Sequence, residues 1–102
     1  MQRDWNRREI EAVVSAYFWM LGEQIAGNEF SKTRVVERLQ LGDLATRNRS
    51  AIERKFSNVS AILAAVGAPS LRGFKPLTHV QRALQEQVIE VAKRRGIPVR
   101  HD

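Results

Sequence analysis

Apolar residues that recur every third or fourth position leave this chain few alternatives to helix. Ile10, Val13, Val14, Tyr17, Phe18, Leu21 and Ile25 fall on one broad stripe at helical spacing. That stripe predicts a helix over about residues 7 to 26 that must bury one face against other elements. Asn6 followed by Glu9 has the spacing of a capping box, in which each residue satisfies a backbone N–H of the other. Gly27 can close the far end in the left-handed conformation.

Three further segments follow the same design. A short helix is expected after Ser31, carrying Val35, Val36 and Leu39 before Gly42 ends it. A third is expected from a Ser50/Glu53 capping box, with Ile52, Phe56, Val59, Leu63 and Val66 on one face and Gly67 and Pro69 as the stop. A fourth is expected from a Thr78/Gln81 box, with Val80, Leu84, Val88 and Val91 inside and Gly96 and Pro98 at the exit. No segment alternates as a strand does. The expected fold is all-α, a compact four-helix domain with a helix-turn-helix-like core, spanning residues 1–102 as one unit. Residues 97–102 read as a flexible tail or the start of a linker, and residues 67–77, with Gly67, Pro69, Gly73 and Pro76, as an ordered irregular loop.

The residue inventory narrows the chemistry. There is no cysteine, hence no disulfide, thiolate metal site or cysteine nucleophile. His79 and His101 are isolated from each other and from any carboxylate at metal-ligand spacing, and no glycine-rich phosphate loop occurs. The expectation is a binding module rather than an enzyme, with no cofactor and no metal. No apolar run approaches the roughly 18 residues of a membrane span, so no membrane partner and a cytoplasmic location are expected.

Charge is informative through its distribution. The formal net charge is +6, and residues 44–82 hold Arg47, Arg49, Arg54, Lys55, Arg72, Lys75 and Arg82 against Glu53 alone. Basic and acidic residues cancel over the rest of the chain. A local excess of this kind is the footprint of a nucleic-acid-binding face.

A short helix, a linker and a second helix that begins beside arginines is the layout of a helix-turn-helix. With Ile52 facing the core, Arg54, Ser57, Asn58 and Ala61 fall on the opposite face at about 100° per residue. Arginine can read guanine and asparagine adenine, while Arg47, Arg49 and Lys55 on the flanks suit phosphates. In the loop Leu71-Arg72-Gly73-Phe74-Lys75-Pro76, two cations flank an aromatic, a composition suited to nucleic acid.

Each of these features also has a plainer explanation. Exposed helices are commonly basic for solubility, and Ala61, Ala64 and Ala65 fit equally well beneath the first helix. Phe74 can plug the core under its loop. Trp5 and Trp19 suit burial, although Trp19 lies off the main stripe and could mark a partner surface.

Asp4-Trp5, Glu9-Ile10-Glu11-Ala12-Val13, Tyr17-Phe18, Arg49-Ser50, Ile52-Glu53, Lys55, Asn58-Val59-Ser60-Ala61 and Gly73-Phe74-Lys75-Pro76 together carry a resemblance. Over about residues 4 to 82 the chain resembles the N-terminal head domain of McrA-like HNH restriction endonucleases, which act on phosphorothioated or methylated DNA. The similarity breaks at Leu41 to Asn48, and no HNH signature is present. The resemblance implies a DNA-associated module of prokaryotic restriction that precedes separate reading and nuclease domains.

The expected partner is therefore duplex DNA, contacted through Arg47, Arg49, Arg54, Lys55, Asn58, Arg72 and Lys75. The alternative is a protein-interaction head in which Trp19 and Met20 of the first helix form a homodimer or dock other domains of a larger nuclease.

Overall fold

In the computed structural model, described for residues 4–75 and 80–98, the chain folds into four helices. They are α1 (Arg7–Ala26), α2 (Lys32–Gln40), α3 (Arg49–Ala65) and α4 (Arg82–Arg94), with no strand among the described residues. Helices α1, α3 and α4 all contact one another, and α2 lies against α1 and α3.

Local signals placed the ends of α1 well. The Asn6 side chain accepts from the Glu9 amide and the Glu9 carboxylate accepts from the Asn6 amide, so the capping box is complete. Gly27 takes φ 79°, and its N–H satisfies carbonyls of the last turn. Ser31 caps α2 through the Arg34 amide, also as its position suggests.

The third helix starts earlier than the Ser50/Glu53 pattern predicts. Asn48 is its N-cap, held extended, and its side-chain oxygen accepts from the Ala51 amide at 2.8 Å. Asparagine caps as well as serine, and the two additional residues lengthen the helix without burying apolar surface. Glu53 consequently has no capping role and instead pairs with Arg49 one turn back.

The fourth helix also departs from its predicted start. Gln81 is the N-cap but makes no side-chain cap; its amide donates to the Trp5 carbonyl at 3.2 Å and so ties α4 to the segment before α1. Thr78 and His79 lie outside the described residues, as do Pro76, Val99 and His101. Ile97 packs partly buried on the core, and its N–H bonds the Ala92 carbonyl, so the chain does not leave the domain at Gly96.

The predicted stripes form most of the core, but Ile25, placed on the α1 stripe by spacing, lies in the last turn of the helix and is exposed. Val13, Val14, Tyr17, Phe18, Leu21, Ile52, Phe56, Val59, Leu63, Leu84 and Val88 are buried, joined by Met20, Leu44 and Leu71. Phe56 is the middle of an aromatic series, touching Tyr17 on one side and Phe74 on the other, with centroids 6.2 and 5.3 Å apart. Phe74 thus packs into the domain rather than standing free as a stacking platform.

Helix α3 is buried over a wider arc than its stripe. Asn58, Ser60 and Ile62 join the apolar positions inside because neighbours press on the helix from three sides. Its surface-facing positions are Arg49, Ser50, Arg54, Ala64 and Ala65. It packs as a central helix, contacting each of the other three. The connection at residues 41–48 is also longer than the roughly three or four residues usual in a helix-turn-helix.

Candidate nucleic-acid interface

The seven residues expected to contact DNA divide sharply in space. The Arg47 side chain is turned inward: its Nε donates to one oxygen of Glu9 at 2.8 Å and its Nη2 to the other at 3.0 Å. A further bond from Nη2 reaches the Asp4 carbonyl, and the guanidinium lies over the Trp5 ring at 4.7 Å. With side-chain exposures of 9% for Arg47 and 4% for Glu9, this pair locks the N-terminal segment to the α2–α3 connection and offers no charge to a ligand. The assignment of Arg47 to a phosphate is therefore corrected.

Asn58 is corrected on the same ground. It retains only 6% exposure, so its amide cannot reach a base edge. Lys55 is half-buried, with its Nζ 4.9 Å from the centroid of Trp5, the ring that Arg47 also covers. Burial, and then the charge of Arg47, push the Lys55 pKa below its ordinary value. Trp5 is thus covered by two cations and shields them in return, which removes Lys55 from the front rank of phosphate ligands.

Arg49, Arg54, Arg72 and Lys75 remain exposed. The loop that carries Arg72 and Lys75 is held by a clasp from α1. Gln24 donates its amide to the Ser70 carbonyl and accepts from the Arg72 N–H, while the Tyr17 hydroxyl accepts from the Leu71 N–H at 2.8 Å. Gly73 takes φ 88°, which turns the chain so that the Arg72 carbonyl meets Lys32. The Lys32 ammonium donates to that carbonyl at 2.6 Å and lies 4.6 Å from the Phe74 ring centroid.

Lys32 belongs to a segment whose charges cancel in the sequence, so counting charge along the chain misses it. The signal that could have found it is Ser31: an N-cap there puts Lys32 in the first turn of α2, next to Thr33. Thr33 in turn accepts from Arg49 Nη2 at 2.9 Å. Lys32 and Arg49, far apart in sequence, therefore flank the first turn of α2, and Lys32 also holds the backbone of the loop that carries the exposed Arg72 and Lys75. That turn contains no acidic residue, and the positive end of the helix dipole adds to the field.

The one carboxylate in this group, Glu53, pairs with Arg49 at the surface, where such pairs are weak and readily exchanged. Arg54 is not part of the cluster. Five residues beyond Arg49, it points about 140° around α3. Arg82 forms a solvent-exposed pair with Glu86 on α4.

Among the described residues no group of His, Asp and Glu is arranged to hold a metal, and no helix is long and apolar enough to cross a membrane. No family model, curated protein or solved structure matches this chain.

Proposed function

We infer that this domain binds the phosphate backbone of duplex DNA through Lys32, Arg49, Arg72 and Lys75. The observation that carries this reading is that Lys32 and Arg49 flank the first turn of α2, which holds no acidic residue, and that Lys32 binds the backbone of the loop bearing the exposed Arg72 and Lys75. Lysine and arginine on such a surface displace condensed counterions from DNA, and a helix N-terminus adds favourable N–H dipoles. Arg54 contributes at the margin. The resemblance to the head of modification-dependent restriction nucleases supports the same partner and a role in prokaryotic restriction.

With Asn58 inside the core, this reading includes no base contact, so affinity is governed by charge rather than sequence. Fluorescence anisotropy of a labelled duplex over a salt series tests it. Log affinity falls linearly with log salt, and removing one phosphate-binding cation lowers the slope by about 0.9. Arg72→Ala/Lys75→Ala and Arg49→Ala should flatten the slope, Arg54→Ala less, and duplexes of different sequence should bind alike. No binding at low salt, or slopes indifferent to these substitutions, would sink the reading.

A further inference from the structure

Away from the basic cluster, the surface has an apolar feature. Trp19 is 51% exposed and meets the edge of Phe30, at 6.1 Å between ring centroids. With Val35 and Leu39 these rings line a groove of about 440 Å³ between α1 and α2. An open groove lined by a tryptophan and edged by arginines has the composition of an interface centre.

Its rim carries charges of both signs. Glu23 lies on the α1 side and Glu29 in the loop that joins the two helices; Arg34 and Arg38, one turn apart, lie on the α2 side. None of the four forms an ion pair with another described residue. Two acids facing outward would repel a nucleic acid, and the paired arginines would repel a basic peptide.

We propose that the groove is the seat of a second copy of this chain, forming a two-fold dimer. A two-fold interface requires a surface complementary to itself, in which the patch of one protomer meets the same patch rotated. A surface with a pair of acids and a pair of arginines satisfies that requirement: Glu23 and Glu29 of one protomer meet Arg34 and Arg38 of the other, in both directions at once. The apolar floors then close on each other, burying both Trp19 rings. The α1–α2 hairpins pack as a four-helix layer, a common way for two helical hairpins to bury exposed apolar faces. This surface does not include Lys32, Arg49, Arg72 or Lys75, so the proposal stands apart from DNA binding.

Sedimentation velocity from about 1 µM to about 1 mM, the range of weak to moderate association, tests it. The wild-type chain should sediment at twice the monomer mass in the upper part of that range. Arg34→Glu/Arg38→Glu and, separately, Glu23→Arg/Glu29→Arg should each be monomeric, because like charges then face each other. An equimolar mixture of the two should recover the dimer. Trp19→Ala, at an exposed position that leaves the core intact, should weaken association at least tenfold with an unchanged circular dichroism spectrum. A wild-type chain that stays monomeric throughout, a dimer that survives both charge reversals, or a mixture that fails to recover it overturns the proposal.

Discussion

Arg47 and Glu9, 38 residues apart, form a two-bond ion pair in which both carboxylate oxygens are engaged and both side chains are nearly dry. The same carboxylate closes the capping box of α1 through the Asn6 amide. One acidic side chain thus fixes a helix start and anchors a loop. A basic residue that sequence assigns to a ligand has its partner inside the fold.

Removing Arg47 should be far costlier than removing an exposed arginine. Arg47→Ala leaves the Glu9 charge in a dry site and uncovers Trp5, a loss of about 3 to 5 kcal/mol. Arg54→Ala, on the solvent face, should stay within about 0.5 kcal/mol. Urea denaturation of both variants decides this. Equal stabilities would mean that the pair does not hold the N-terminal segment in solution.

Tyr17 gives a pH signature. Its hydroxyl accepts from the Leu71 N–H and shares a hydrogen bond with Ser60 at 2.7 Å. Burial raises its pKa above the ordinary 10.0, against the opposing pull of Ser60 and Leu71. A folded value above the unfolded one means that the contribution to stability is complete below about pH 10 and is lost as pH rises through the folded value. Lys55, depressed by burial, has the opposite sign: its contribution is present above the unfolded lysine value and lost as pH falls through the folded value. The chain has one tyrosine, so tyrosinate absorbance reports on Tyr17 alone. It should ionise late, together with unfolding. Tyr17→Phe should cost about 1 to 3 kcal/mol at neutral pH and remove this alkaline loss. Ionisation at the free-tyrosine value in the folded protein would refute the prediction.

Asn58 separates a structural role from a recognition role. Asn58→Ala should lower stability by about 1 to 3 kcal/mol, because a buried amide loses its bonding while its surroundings stay polar. Affinity for duplexes that differ only in sequence should change equally for all of them once the folded fraction is taken into account. Selective loss on adenine-containing sites would restore the residue to the interface.

Gly73 tests the link between loop geometry and the basic cluster. A side chain there would have to adopt φ 88°, and its Cβ would run into the Lys32 ammonium. Gly73→Ala should cost at least about 1 kcal/mol and displace Lys32 from the Arg72 carbonyl. Amide hydrogen exchange should then quicken at Leu71 and Arg72, whose N–H groups bond Tyr17 and Gln24. Unaltered exchange would show that the loop holds without this turn.

Sequence by itself determined the four helices, their apolar stripes and most of their ends. These depend on interactions within a turn or two: Asn6 with Glu9, Ser31 with the Arg34 amide, and glycine at positive φ after α1. It also located the basic excess, though not its fate. Where two cap signals lay two residues apart, at Asn48 and Ser50, local pattern could not choose between them, and the first to satisfy a free N–H took the role. Tertiary structure alone decided which cations stay outside. Arg47 went inside because the fold carries Glu9 to it, and Asn58 because neighbouring helices cover the flank of α3 that periodicity assigned to solvent. Lys32 joined Arg72 because Gly73 turns a distant carbonyl toward the start of α2. Hydrogen bonds within a helix are local and leave a periodic trace; the partner of a buried charge is set by chain topology, which periodicity does not encode.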